Sequence, residues 1–367
     1  MSLKTKPFFV ILSILCLYVS FTAADIPRKP VIGILSTPSD MHDLYDPNEF
    51  SYIKGSYAEF IEAADGIPVA IPWDLPEREL ISLLDSINGV LFTGGDASLW
   101  EYDLDANDML FSNFTQRAIF ILRYAIHLND KGVHFPMYGI CQGHEIISMG
   151  VAGTPHIIDH YKHPGQLDTV ELTDFGKKSR MWSNMPDHIG EFISKRRSMF
   201  YNHRYGFNMS LLHENRVLHD FFEITAKGAD DNGKEFIAAM EAKNYPIYTV
   251  QYHPERVLSE WNNKTHFHHP YEAVESIIVQ ASLFVNEAKK NDQRFLNEEN
   301  FERVLLKNHE GVYLNVTWPN TYFYDKKSPI RYHVNPDWLD NGDVDEYDCV
   351  DDDNNGDCDS IQVDYDL

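Results

Sequence analysis

The sequence predicts an α/β fold, a three-layer αβα sandwich with a mostly parallel central sheet. Short apolar segments alternate along the chain with longer segments of helical periodicity, which is the pattern of βα units. Parallel sheets of this kind carry their functional residues at the carboxyl ends of strands. Gly94, Gly95, Cys141 and His253 follow closely after predicted strands, so we expect them to meet at one edge of the sheet.

Each predicted element follows from a local pattern of side chains. The first strand is a short run of aliphatic residues and glycine, as in a strand buried on both faces. The helices instead repeat apolar residues every three or four positions. The predicted strands lie at residues 31–35, 67–71, 89–92, 133–140, 169–172, 236–240 and 247–251, and the predicted helices at residues 57–64, 80–84, 111–128 and 271–289.

The chain divides into three predicted segments. Residues 1–24 form a signal peptide, residues 25–317 a catalytic domain, and residues 318–367 an acidic tail. An apolar content of 43% supports a hydrophobic core in the middle segment. Because periodicity fades beyond about residue 318, we expect the tail to be poorly ordered.

The amino terminus is typical of a secretory signal peptide. Lys4 and Lys6 precede an apolar stretch at residues 8–21, and small residues follow at 22–24. A transmembrane anchor is the alternative, although the stretch is short for a bilayer. We expect an extracellular, lysosomal or vacuolar glycoprotein. The predicted glycosylation sites are the Asn-x-Ser/Thr residues Asn113, Asn208, Asn263 and Asn315.

Removal of the signal peptide leaves three of the four cysteines, Cys141, Cys349 and Cys358. An odd number in an oxidising compartment leaves one thiol free. The free thiol is most simply Cys141, and Cys349 and Cys358 could then pair with each other.

The net charge of −25 argues against nucleic-acid binding, and residues 332–367 contain no Lys or Arg. We expect a small-molecule substrate, with no nucleic-acid or membrane partner and no cofactor or metal; a homodimer is compatible with the sequence. Asp351, Asp353, Asn355 and Asp359 have the spacing of the first part of a calcium loop, but Gln362 replaces the usual Glu. A disordered acidic tail is therefore favoured over a calcium site.

Cys141 lies between Gly139 and Gly143 after an apolar run, which is the pattern of a nucleophile elbow. There a strand turns sharply into a helix, and glycines allow the backbone to pass close to the turn. The alternative is a buried, inert cysteine. A thiol nucleophile needs a lowered pKa or a neighbouring base.

His253 and Glu255 supply the expected base and the carboxylate that orients it. If the segment is extended, residues at positions i and i+2 share a face. A structural histidine and a surface carboxylate are the alternatives. For the oxyanion, backbone N–H donors are expected from Gln142 and from Gly94 or Gly95.

At the level of motifs, Gly-Ile-Cys-Gln-Gly-His-Glu at residues 139–145 and Gln-Tyr-His-Pro-Glu at 251–255 resemble the class I glutamine amidotransferase superfamily, which has a flavodoxin-like sheet. Residues 86–95, 202–204, 235–241 and 245–248 are further similar to the gamma-glutamyl hydrolases, secreted or lysosomal cysteine peptidases that trim folate poly-γ-glutamates. The resemblance extends from about residue 29 to residue 294.

The resemblance implies roles for individual residues. It makes Cys141 the nucleophile, His253 the proton donor and Glu255 the third member of the catalytic set. It also implies that Glu145 shapes the glutamyl pocket and that His203 lies close to the active site.

A basic segment interrupts this acidic chain. Residues 194–206 contain no carboxylate, and Arg204 is the favoured ligand for a substrate carboxylate, because arginine can bind one bidentately. A solvated basic face is an equally good interpretation. The other cationic members of the segment are Lys195, Arg196, Arg197 and His203.

Together these features predict a cysteine-dependent enzyme that hydrolyses γ-glutamyl amide bonds through a thioester. Two alternatives are a glutaminase that feeds ammonia to a synthase and a γ-glutamyl-binding protein with a dead site. The predicted signal peptide and the lack of a fused synthase domain disfavour the first. The complete set of expected chemical groups disfavours the second.

Overall fold

The computed structural model describes residues 28–39, 45–104, 107–261, 269–313 and 320–327, and the backbone of two short strands near the carboxyl terminus. The strands are β1 Val31–Leu35, β2 Thr37–Pro38, β3 Phe50–Lys54, β4 Ile67–Ile71, β5 Gly89–Phe92, β6 Trp100–Asp103, β7 Asp108–Phe111, β8 Met137–Ile140, β9 Asp159–Asp168, β10 Glu171–Leu172, β11 Met199–Gly206, β12 Phe222–Ala229, β13 Glu235–Ala242, β14 Ile247–Val250, β15 Gly311–Val312, β16 Thr321–Asp325, β17 Asp348–Val350 and β18 Ser360–Gln362.

The helices connect these strands. They are α1 Gly55–Glu62, α2 Glu77–Leu84, α3 Asn113–Asp130, α4 Gln142–Ala152, α5 Asp187–Lys195, α6 Leu211–Glu214, α7 Arg216–Phe221, α8 Pro254–Ser259, α9 Tyr271–Ala288 and α10 Glu298–Val304. Short 3₁₀ turns occupy Pro155–Ile157, Gly176–Lys178 and Leu306–Asn308.

An eight-stranded sheet in the order β10-β12-β13-β14-β8-β5-β1-β4 forms the centre of the molecule. The five strands from β14 to β4 are parallel, and the pairs β14–β13, β13–β12 and β12–β10 are antiparallel. Strands β5, β8 and β14 are buried at every position, as expected for strands covered on both faces. Their carboxyl ends form one edge of the sheet.

Helices cover both faces, which confirms the predicted three-layer αβα sandwich. Val90 and Leu91 are neighbours on β5 but belong to different apolar clusters, because successive strand side chains point to opposite faces. Val90 packs in the cluster that includes Leu122 of α3, and Leu91 in the cluster that includes Phe284 of α9. The faces are thus filled by the periodic apolar positions of the helices.

A second, two-stranded antiparallel sheet is formed by β9 and β11, neither of which was predicted as a strand. The predicted strand at residues 169–172 is reduced to Glu171–Leu172, and the ten-residue strand β9 immediately before it was not predicted. Strand β9 is polar and half exposed along most of its length, so it has no apolar run to indicate a strand. Its pairing with β11 is a tertiary contact.

The predicted start of the tail at residue 318 is corrected by β16. This strand, Thr321–Asp325, pairs with β3, and Tyr324 on it is buried. The ordered part of the chain therefore extends past residue 317. The pairing joins segments far apart in sequence, and local periodicity cannot indicate it.

Several expectations lie outside the described residues. They are the signal peptide, the sequons at Asn263 and Asn315, the calcium-like segment and the side chains of Cys349 and Cys358. Within the part of the chain that the structure describes, no helix is long and apolar enough to cross a membrane. The same residues contain no group of three or more His, Cys, Asp or Glu side chains arranged to hold a metal ion.

Candidate active site

Cys141 lies on a sharp turn between strand β8 and helix α4, with φ 51° and ψ −104°. A non-glycine residue with this backbone geometry is strained, as in a nucleophile elbow. A Cβ on Gly139 would lie 2.7 Å from the carbonyl oxygen of Gly143, and a Cβ on Gly143 would lie 2.4 Å from that of Phe92. Both glycines of the motif are thus required by close backbone contacts.

The thiol of Cys141 is buried at the wall of a cavity. The backbone N–H of Cys141 donates to the carbonyl of Val250 at 2.7 Å, and this hydrogen bond holds the elbow against β14. Burial raises the pKa of the Cys141 thiol well above its usual value, and the nearby carboxylates of Glu145 and Glu255 raise it further. The N–H of Gln142 acts in the opposite direction but is outweighed. The thiol therefore starts protonated and needs a base.

His253 and Glu255 lie beyond the end of β14. The imidazole Nδ1 of His253 is 2.8 Å from Oε1 of Glu255, and both side chains are buried. The expected extended segment was wrong, since helix α8 begins at Pro254 and the contact is made across the start of the helix. The backbone N–H of His253 donates to the carbonyl of Phe200 at 2.7 Å, so β11 holds this segment in place.

The nucleophile and the imidazole meet at Gly94, in the loop after β5. A Cβ on Gly94 would lie 2.6 Å from Cε1 of His253 and 3.2 Å from Cβ of Cys141. A side chain at this position would collide with the catalytic groups. Gly94, which was predicted as a candidate oxyanion donor, is therefore also required to be glycine by its closeness to the catalytic side chains.

The three residues predicted as oxyanion donors, Gly94, Gly95 and Gln142, differ in their hydrogen bonds. The N–H of Gly94 already donates to the hydroxyl of Tyr57 at 2.8 Å, so Gly94 does not present a free donor. Gly95 lies beside Gln142, whose Nε2 donates to the carbonyl of Ala97 at 2.8 Å. The N–H of Gln142 lies beside the Cys141 sulfur, where it lowers the pKa of the thiol. Tyr57 was not predicted as a site residue.

These groups line a cavity of about 710 Å³. Its lining combines the catalytic residues with cationic side chains, namely Lys54, Lys162, Arg204 and Arg256. Arg256 is buried, and its Nε donates to Glu260 at 2.7 Å. A cavity of this size accommodates a substrate larger than a single amino acid.

Glu145 is buried at the cavity wall, one helical turn beyond Cys141 on α4. Its Oε1 accepts a hydrogen bond of 3.2 Å from Nε2 of Gln251, which also lies 3.9 Å from the Cys141 sulfur. Burial raises the pKa of Glu145 to about 7, against the lowering effects of Gln251 and Arg204. Gln251 was not predicted as a site residue, although it lies within the motif that contains His253.

His203 lines the same cavity from strand β11. Its Nδ1 lies 2.8 Å from the carbonyl oxygen of Tyr205, and its ring stacks on His163 of the neighbouring strand β9, with ring centroids 5.4 Å apart. Burial lowers the pKa of His203 to about 3, so the ring is neutral. It can bind substrate by hydrogen bonding but supplies no positive charge.

The basic segment is not one binding surface. Lys195 pairs with Glu191 on α5, and Arg197 lies 3.7 Å from Asp168. Of the predicted cluster, only His203 and Arg204 line the cavity, and Arg204 is 70% exposed and paired with Asp96. The solvated interpretation therefore describes Lys195 and Arg197.

Two predicted glycosylation sites fall within described segments. Asn113 is the first residue of α3, and Asn208 follows strand β11; both side chains are exposed. The side-chain oxygen of Asn208 accepts from the N–H of Ser210 at 3.0 Å. Exposure makes both positions sterically suitable for a glycan.

The site can carry out acyl transfer. Forming and hydrolysing a thioester requires a thiol, an imidazole base and a hydrogen-bond donor for the oxyanion. Here the thiol lies on a strained backbone turn, the imidazole is held by a carboxylate, and an N–H lies beside the sulfur. The structure places Cys141 and His253 on either side of Gly94, with Glu255 in contact with the imidazole of His253.

Comparison with known proteins shows which sequences this chain is similar to. A family model described as peptidase C26 matches residues 30–255. Gamma-glutamyl hydrolase 1 of Arabidopsis thaliana is 30% identical over 280 residues, 76% of each chain. Gamma-glutamyl hydrolase of Homo sapiens is 30% identical over 79% of this chain and 87% of its own. The mouse hydrolase is 33% identical over 67% of this chain and 74% of its own.

Proposed function

The chain belongs to the peptidase C26 family, and we propose from this premise that it hydrolyses folate poly-γ-glutamates with Cys141 as nucleophile. The chain is an enzyme, and γ-glutamyl bond hydrolysis is the activity for which its curated relatives are named. The observation that carries the mechanism is the arrangement of Cys141 on its strained elbow beside an imidazole held by Glu255.

Acylation begins with the protonated thiol. His253 takes the proton from Cys141 as the sulfur attacks the γ-carbonyl carbon, and the carbonyl electrons move to oxygen to form an oxyanion. When the tetrahedral intermediate collapses, the carbon–nitrogen bond breaks and His253 returns the proton to the leaving amine. Glu255 stabilises the positive imidazole between these two transfers.

Deacylation repeats the chemistry with water. His253 removes a proton from a water molecule that attacks the thioester, and a second oxyanion forms at the same place. Collapse of that intermediate breaks the carbon–sulfur bond, and the thiolate of Cys141 recovers the proton from His253. The acyl part of the substrate is released with a free γ-carboxyl group, and the resting thiol is restored.

The charges of the cavity support a substrate with several carboxylates. In a protein whose net charge is −25, the described lining of the cavity contains four cations, Lys54, Lys162, Arg204 and Arg256, against the two carboxyl groups of Asp96 and Glu145. Arg204 and Arg256 already pair with Asp96 and Glu260. A poly-γ-glutamate carries one free α-carboxylate per residue, which such cations bind with charge-assisted hydrogen bonds. The cavity volume of about 710 Å³ also exceeds what free glutamine requires.

We further propose that the enzyme acts in the secretory route, as a glycoprotein. The basis is the apolar amino-terminal stretch with its flanking lysines, together with exposed sequon residues at Asn113 and Asn208. Sequencing of the amino terminus of the secreted protein, and its mass before and after glycosidase treatment, would test this.

The activity is tested by incubating the purified enzyme with pteroyl penta-γ-glutamate, its α-linked isomer and free glutamine, with Cys141→Ala as control. We expect cleavage of the γ-linked chain alone, and mass spectrometry of the products gives the position of the cut. Ammonia release from glutamine without cleavage of the pteroyl substrate would instead indicate a glutaminase. No turnover of any of the three would indicate a binding protein.

A further inference from the structure

Tyr57 contacts Gly94, one of the residues predicted to donate to the oxyanion. Its hydroxyl accepts a 2.8 Å hydrogen bond from the N–H of Gly94, and both residues are buried. Tyr57 belongs to α1, which follows β3, so this contact joins a helix to the loop after β5. The hydroxyl therefore takes up the hydrogen bond that the N–H of Gly94 would otherwise offer to a substrate oxygen.

The hydroxyl lies within the small volume shared by the catalytic groups. The point that a Cβ on Gly94 would occupy is 2.9 Å from Oη of Tyr57, 3.2 Å from Cβ of Cys141 and 2.6 Å from Cε1 of His253. Tyr57 also lines the cavity. A substrate carbonyl under attack by the Cys141 sulfur would be within reach of this hydroxyl.

The hydroxyl is equipped to donate. A phenol has one O–H donor in addition to its acceptor capacity, and accepting from Gly94 leaves that donor available. Among the described residues, no acceptor is paired with the Tyr57 O–H. Burial raises the pKa of Tyr57 well above its usual value, and the charges of Glu255 and Cys141 raise it further. The hydroxyl therefore keeps its proton near neutral pH.

We propose that Tyr57 is a catalytic residue whose O–H donates a hydrogen bond to the oxyanion of both tetrahedral intermediates. The N–H of Gly94 polarises and positions that hydroxyl, and the N–H of Gln142 is the second donor. No proton is transferred from Tyr57, because it stabilises the negative oxygen while His253 carries the proton. This inference rests on the proposed thioester mechanism.

The test is Tyr57→Phe, which retains the ring and removes the hydroxyl. We expect kcat to fall by about a hundredfold, in the range for loss of one oxyanion donor, with KM changed by less than about threefold. Tyr248→Phe is the matched control, because the Tyr248 hydroxyl is buried on β14, has no hydrogen-bond partner among the described residues and does not line the cavity. The control should retain wild-type kcat, and circular dichroism melting curves should show both variants folded.

Two further measurements separate this role from its alternatives. A γ-glutamyl aldehyde forms a tetrahedral adduct with Cys141, and its affinity should fall in parallel with kcat in Tyr57→Phe. Alkylation by iodoacetamide forms no oxyanion, so its pH profile should be unchanged. A kcat within about threefold of wild type, or an alkylation profile that shifts with kcat, would overturn the proposal. Failure of the wild type to cleave γ-glutamyl amides would instead refute the proposed function.

Discussion

His253 and Glu255 are joined by a 2.8 Å contact between Nδ1 and Oε1, across the start of helix α8. The Glu255 side chain is fully buried, and its second oxygen has no hydrogen-bond partner among the described residues. A buried carboxylate with one well-placed partner fixes the orientation of that partner. Because Nδ1 is held in this way, Nε2 remains the nitrogen that exchanges protons with the thiol.

Cys141→Ala should abolish turnover and leave the fold intact. Alanine retains the Cβ, so the turn at φ 51° is no more strained than in the wild type. We expect kcat/KM to fall by at least about a thousandfold, measured with a γ-glutamyl peptide. Trapping the acyl-enzyme by acid quench and mass spectrometry should show it in the wild type only. Turnover within about tenfold of wild type would exclude Cys141 as the nucleophile.

Glu255→Gln should be milder than His253→Ala. Glutamine can still accept from Nδ1 but carries no charge to stabilise the imidazolium, so we expect kcat to fall by roughly ten- to a hundredfold. His253→Ala removes the proton carrier itself and should approach the Cys141→Ala level. The comparison is made by steady-state kinetics on the same substrate. Equal losses in the two variants would indicate that Glu255 does more than orient the base.

Glu145→Gln should reduce the pH dependence of both stability and substrate binding. The folded-state pKa of about 7 lies above the usual value of 4.5, so the native state holds this proton more tightly than the unfolded state. Stability from this group is therefore complete at low pH and is lost as pH rises from about 4.5 to about 7. Above that range the ionised carboxylate also repels an anionic substrate. Urea unfolding and KM measured from about pH 4 to pH 8 should show flatter profiles in the variant.

Those profiles also test the assignment of Glu145. An unchanged KM profile, with only the stability profile flattened, would mean that the carboxyl does not face the substrate. An unchanged stability profile would mean that Glu145 is not the group that titrates in this range.

Arg204→Ala and Asp96→Ala should change KM in opposite directions. Arg204 is 70% exposed and is paired with Asp96, so removal of the cation should raise KM by only about three- to tenfold. Removal of Asp96 frees the guanidinium for a substrate carboxylate and should lower KM. Added salt should raise KM in the wild type and have less effect in Arg204→Ala. If both variants match the wild type, Arg204 belongs to a solvated face.

The sequence alone determined the parts of the site that depend on residues adjacent to one another in the chain. Cys141 between its glycines and His253 two positions before Glu255 were predicted because an elbow and a base–carboxylate pair are short, local arrangements. The three-layer fold was likewise predicted, because buried parallel strands and amphipathic helices leave their periodicity in the chain. The extended geometry assumed for residues 253–255 was wrong, since the local pattern does not specify where a short helix begins.

Only the tertiary structure decided how distant segments meet at the site. It paired the N–H of Gly94 with Tyr57, placed Gln251 against Glu145, and divided the basic segment between helix α5 and strand β11. Each of these contacts joins residues on different elements, and their approach is set by the packing of helices and strands against the sheet. A local pattern carries no information on such distances, because side chains far apart in sequence become neighbours only when the chain has folded.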